Sequence, residues 1–169
     1  LQYIDRDMTS TEGAFFSAED ADSEGVEGKF YVWTQEEVEQ VLGRKTASVA
    51  IPYYSITREG NFEGKNIFNI TRGPETVAKE VGMQEADFKA ELKIARDKLL
   101  EVRSRRIRPL LDDKILTSWN ALMISAMAKT GRVLDDTDRI QKSVRAMEFL
   151  LSQLRASEGK ILRRYRDGE

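Results

Sequence analysis

Three successive stretches between residues 85 and 154 constrain this chain more than any other feature, because their apolar residues recur at helical spacing in two different ways. From Glu85 to Arg106, Phe88, Leu92, Ala95, Leu99 and Val102 alternate at intervals of four and three, which predicts a helix with a single apolar stripe. Asp135 to Leu154 repeats the theme with Ile140, Val144, Met147, Leu151 and Leu154. Between them, Lys114 to Lys129 carries Ile115, Leu116, Trp119, Leu122, Met123, Ile124 and Met127 on nearly all sides. A helix apolar all round has to be covered all round, so this order predicts an inner helix with its neighbours outside. Helical hairpins in a toroid or solenoid produce that layering. No repeat stands out at the lengths of the common solenoid families, which favours a toroid of divergent hairpins over a regular array.

The remainder is less periodic. Aromatic, extended runs at Phe15-Phe16-Ser17 and Lys29-Phe30-Tyr31-Val32-Trp33-Thr34 flank an acidic, glycine-containing stretch, which predicts a β-hairpin over 13–34 with a long tip. Thr34 with Glu37 has the spacing of a capping box, so a short helix should follow and close at Gly43. Residues 46–72 show no clean period and contain Gly60-Asn61-Phe62-Glu63-Gly64, which predicts an irregular loop region with a strand at each end. Pro74 suits the first turn of a further helix, so helical hairpins are expected over 74–155. The expected fold class is therefore mainly α with a small β-hairpin.

Composition sets limits on chemistry. The 169 residues are 40% hydrophobic and 33% charged, within the globular range. Their 27 basic and 29 acidic residues are well mixed, so neither a nucleic-acid surface nor an anionic-membrane anchor is indicated. The longest apolar run, about Leu122 to Ala128, falls far short of the roughly 20 residues a spanning helix needs, and a cytoplasmic chain is expected. There is no cysteine and no histidine. That excludes disulfides, thiol chemistry, Cys/His zinc sites and imidazole-dependent triads within these residues, leaving Asp, Glu, Lys and Tyr for acid and base work.

Two constellations stand out. Glu19-Asp20-Ala21-Asp22-Ser23-Glu24-Gly25-Val26-Glu27 crowds five carboxylates, a density relieved by a cation, by basic partners or by a raised pKa. Asp20, Asp22, Glu24 and Gly25 match four positions of a calcium loop, but Tyr31 stands where its bidentate carboxylate belongs, so no metal site is expected. An ordinary solvated turn uses the same residue types. The functional alternative is a polar pocket floored by Phe30, Tyr31 and Trp33. The second constellation runs from Arg103 and Arg106 through Asp112-Asp113-Lys114 to Thr117, Trp119 and Asn120. Its acids fit a helix N-terminus and its arginines a solvated helix end. Equally, Thr117 and Asn120 sit on one face of an apolar helix and need partners, which a polar ligand would supply. Asn61 and Glu63 fit either a loop or a pocket edge.

Together with Asp7-Met8 through Glu12-Gly13, the strings Ser17 through Gly25, Glu27 through Trp33, Gly60 through Asn66 and Arg108-Pro109 through Asn120 resemble the YyaL-type, spermatogenesis-associated protein 20-like family of thioredoxin-domain-containing proteins. The resemblance spans essentially the whole chain. It implies a parent with an N-terminal thioredoxin-like domain and a C-terminal (α/α) six-hairpin toroid similar to those of glycosidases and N-acylglucosamine 2-epimerases. Residues 1–169 would then be an internal fragment of that toroid, inactive alone, and both ends look cut. Departures are Leu110 and Ala121, where histidine and glycine are expected in many relatives, and the absence of the histidines that toroid epimerases use.

A carbohydrate-binding or carbohydrate-processing role follows as an expectation from fold similarity. Asp20, Asp22, Asp112 and Asp113 are the catalytic candidates. Glu19, Tyr31, Trp33, Asn61, Arg103, Arg106, Lys114, Thr117, Trp119 and Asn120 are the ligand-binding ones. The expected partners are a small polar molecule or sugar, the thioredoxin-like domain and the remaining toroid hairpins, with no cofactor. The alternative is a non-catalytic scaffold for peptide or protein clients.

Overall fold

The computed structural model describes residues 2–168; Leu1 and Glu169, the two ends of the expected fragment, lie outside the described residues. The described residues are mainly helical, and the chain divides into two compact units. The continuous unit is Ala21–Pro109. The discontinuous unit runs up to Asp20 and resumes at Leu110. No helix among the described residues is long and apolar enough to cross a membrane.

The continuous unit begins with a tight hairpin, β2 (Asp22–Ser23) against β3 (Val26–Glu27), with Asp22 opposite Glu27 and Ser23 opposite Val26. Glu24 and Gly25 at its tip both take positive φ, the turn chemistry that a two-residue connection demands. The hairpin is much shorter than the 13–34 expected, because Phe30, Val32 and Trp33 turn inward as core residues instead of pairing with the upstream run. Helix α2 (Gln35–Tyr53) starts with the complete capping box: Thr34 accepts from the Glu37 N–H, and Glu37 accepts from the Thr34 N–H. Gly43 breaks it at φ 71°, as its sequence position suggests, but the chain re-enters helix and continues to Tyr53. The loop expected from residue 46 is corrected by burial: Thr46, Ala47, Val49 and Ala50 face the core, which rewards a second helical segment.

Helix α3 (Pro74–Glu80) opens on its proline, and α4 (Glu85–Ser104) follows the predicted stripe, burying Phe88, Leu92, Ala95 and Leu99. These pack with α2 into one core around Val38, Val49, Val77 and Phe88. Between α2 and α3 the connection is held by amide side chains. Asn61 exchanges hydrogen bonds with the Ile67 backbone, and the buried Asn66 donates to Trp33 and Thr57 while accepting from the Thr57 N–H. Gly60 is obligatory there: its φ is 72°, and a Cβ would sit 2.3 Å from the Lys65 carbonyl oxygen.

The discontinuous unit contains α1 (Gln2–Asp7) and two short antiparallel ladders. In one, β1 (Ala18–Glu19) pairs with β4 (Leu111–Asp112); in the other, β5 (Ile115–Leu116) pairs with β6 (Arg164–Tyr165), the strand that the chain's end suggests. Helices α5 (Thr117–Val133) and α6 (Thr137–Gln153) pack as a helical hairpin. A Cβ at Gly131 would approach Ile140 Cγ1 at 2.7 Å, so glycine lets the helices meet closely at the turn. Asp136 caps α6 by accepting from the Arg139 N–H at 3.1 Å. The core gathers Phe15, Ile115, Ile124, Met127, Phe149 and Leu154.

Helix α5 departs from expectation in two ways. It begins after a strand, so Leu116, with no side-chain cap, precedes it, and Asp112 lies in β4 instead of capping the helix. It is also covered on one face only, with Trp119 54%, Leu122 72% and Val133 77% exposed.

Candidate functional site

In the continuous unit the aromatic run meets the arginine-rich end of α4. Arg106 donates to the carbonyls of Phe30 at 3.1 Å and Val32 at 2.8 Å, and its guanidinium lies 3.9 Å above the Trp33 ring. Arg103 stacks over Phe30 and Tyr31 at 5.5 and 5.3 Å, and Arg108 over Phe30 at 5.2 Å. Desolvation lowers the Arg106 pKa from its ordinary value, and Glu37, 3.8 Å away, opposes that shift. Three cations thus close over the aromatic rings, and Arg106 also ties down the backbone that carries them. Trp33 is 3% exposed and packs on Phe68 as well, so it serves the core; Tyr31 alone of the three expected floor residues is exposed. Asn61 is likewise taken up by Ile67, and Asp22 lies in the β2–β3 hairpin.

In the discontinuous unit, the base of the acidic stretch meets the Asp112 segment. Ala18 lies opposite Asp112 and Glu19 opposite Leu111, and the Asp20 N–H donates to the Leu110 carbonyl at 2.8 Å. Tyr3 donates to the Glu19 carboxylate at 2.7 Å. Lys114 sits 3.1 Å from the Asp112 carboxylate, and its hydrogen bond is the main reason that the Asp112 pKa is lowered from 3.8, with burial opposing. A depressed carboxylate stabilises the fold above its unfolded pKa, and that contribution is lost as pH falls through the folded value. Asp113 pairs with Arg166 at 2.8 Å.

The first turn of α5 separates three roles. Thr117 donates to the Leu162 carbonyl at 2.6 Å, anchoring the chain just ahead of β6. Asn120 is 1% exposed; it accepts from the Phe15 N–H and donates to the Phe15 and Leu116 carbonyls, each at 2.8–3.1 Å. The partners that its place in an apolar helix demands are backbone groups, and its amide is spent on the fold. Trp119 presents an open indole.

Sequence reasoning missed Ser17, whose hydroxyl donates to the Asp112 carbonyl at 3.0 Å, and Arg166, the partner of Asp113. No local signal identifies either, since both depend on pairing across long stretches of chain. Among the described residues no group of His, Cys, Asp or Glu is arranged to hold a metal ion.

No family model matches the chain. It is 31% identical over 96% of its length to spermatogenesis-associated protein 20 of Homo sapiens and 30% identical to that of Mus musculus. An uncharacterised protein of Caenorhabditis elegans is 29% identical over 88% of the chain. Each match covers 24% of the relative, so the chain spans about a quarter of the length of the curated relatives it matches.

Proposed function

This chain belongs to the spermatogenesis-associated protein 20-like family, and from that premise we propose that it supplies part of a helical toroid in a longer parent and helps bind a carbohydrate there. The observation that carries this reading is the exposed indole of Trp119 in the first turn of α5, the helix that the charged Asp112-Asp113-Lys114 segment precedes in the same unit. A flat aromatic face takes the apolar side of a sugar ring, and carboxylates with an ammonium take its hydroxyls. In a two-carboxylate mechanism one group stays ionised while the other carries the proton. Asp112, its pKa depressed by Lys114, suits the ionised role.

The test is a thermal-shift titration of the full-length protein against monosaccharides, oligosaccharides and peptides. Saturable stabilisation by a sugar, abolished in Trp119→Ala and kept in Trp119→Phe, is the expected outcome. Stabilisation that survives Trp119→Ala removes this indole from the site. A second reading, a non-catalytic scaffold for peptide or protein clients tied to a thioredoxin-like domain, draws on the exposed apolar face of α5. Stabilisation by peptides and none by sugars selects it.

A further inference from the structure

The continuous unit contains a cleft of about 320 Å³, within the range of small-ligand pockets. Its charged lining is unbalanced: Lys29, Lys65, Arg105 and Arg106 face only two carboxylates, Glu24 and Glu37. The carboxylates are already engaged. Glu24 holds Lys29 at 2.8 Å, while Glu37 accepts from the Thr34 N–H at 2.8 Å and lies 3.8 Å from Arg106. Arg105 pairs with Glu101, outside the cleft, and Arg106 is directed at backbone carbonyls. That leaves Lys65. It is half-buried, yet its ammonium has no hydrogen bond or ion pair among the described residues.

Partial burial of an ammonium without a counter-charge is unfavourable, and a bound anion removes the penalty. The buried Phe30 and Val32 form the apolar part of the same lining, which lowers the local dielectric and strengthens any ion pair made there. We propose that this cleft is a binding site for a small oxyanion, a phosphate or a carboxylate carried on a small polar molecule, with Lys65 as the principal charge. Arg106 sets the local positive field but is committed to the Phe30–Val32 backbone, so Lys65 is the group free to follow the ligand. The site shares no residue with the Trp119–Asp112 segment, and its fate is independent of the carbohydrate reading.

Lys65 also makes a clean variant. Its backbone N–H donates to Phe62 and its carbonyl accepts from Asn61 and Phe62, contacts that alanine retains. The experiment is calorimetric titration of the full-length protein with inorganic phosphate and, separately, with sodium glucuronate, at constant ionic strength and with chloride as the control. One saturable isotherm is expected, weakened about tenfold in Lys65→Ala, as loss of a charged hydrogen bond implies. Lys65→Arg should retain it. Glu24→Gln, which removes the competing carboxylate from Lys29, should tighten it. Binding of phosphate alone identifies a phosphoryl ligand, and of glucuronate alone a carboxylate. Equal affinity in Lys65→Ala, no saturable heat with either anion, or the same response to chloride overturns the proposal.

Discussion

The two units use their tryptophans in opposite ways. In the continuous unit Trp33 is 3% exposed, covered by the Arg106 guanidinium and packed against Phe68; in the discontinuous unit Trp119 is 54% exposed on a helix whose Leu122 and Val133 are also open. Arginine makes the difference. A planar cation can lie on a ring, and Arg106 at the same time directs N–H groups at carbonyls, so with Arg103 and Arg108 on the neighbouring rings it finishes the edge of the first core without more apolar residues. The α5–α6 hairpin has no such finish on its outward faces, where Val144 and Leu151 are half-exposed as well. A self-closed core and an apolar face left open among the described residues thus occur in one chain, and this contrast can be attacked experimentally.

The largest effect belongs to the closed core. Phe88 is fully buried where α2, α3 and α4 meet, edge-on to Tyr53 at 5.9 Å. Phe88→Ala removes a ring that nothing nearby replaces, and should cost about 3–5 kcal/mol. Chemical denaturation followed by tryptophan emission measures it, because Trp33 passes from buried to exposed on unfolding while Trp119 already faces solvent. A loss below about 1 kcal/mol would mean the core repacks easily and is less finished than its burial indicates.

Next come the two buried asparagines, one per unit. Asn66 ties Trp33 to Thr57, and Asn120 ties α5 to Phe15. Asn120→Ala leaves the Phe15 N–H and carbonyl without their partner, at a cost of about 2–4 kcal/mol, and Asn66→Ala should cost a similar amount. Denaturation of both variants checks this. Equal losses show that both units depend on polar clips to the same degree, whatever their apolar faces do. A near-neutral Asn120→Ala would show that water reaches Phe15 and that the discontinuous unit is open there too.

These residues also mark how far the sequence could be read. The α4 stripe, the Thr34–Glu37 capping box, the break at Gly43 and the proline start of α3 are local, and each is visible in a window of a few residues. The helical segment reaching Tyr53 has no local signal, because Gly43 reads as a stop while the burial of Val49 and Ala50 that rewards the segment is tertiary. Pairing of Ala18–Glu19 with Leu111–Asp112 joins two-residue strands over 90 residues apart and has no local pattern. For the candidate site, Asp112 with Lys114 is a neighbour pair that sequence displays. Asn120 was recognisable as a polar group in need of partners, but Phe15 could not be named. The exposure of Trp119 has no local sign, because an apolar helix does not show which side its own hairpin covers.

The smallest effect tests that open face. Leu122 is 72% exposed, so Leu122→Ala in this chain should change stability by no more than about 0.5 kcal/mol. The proposed toroid would cover α5 with helices from the rest of the parent, and a leucine buried in that way loses about 2–5 kcal/mol on truncation to alanine. Thermal or chemical denaturation of Leu122→Ala in the chain and in the full-length protein therefore gives two different answers. The same small loss in both would leave the outer face of α5 as true surface, removing the toroid's cover and strengthening the reading of this helix as a docking face for a client.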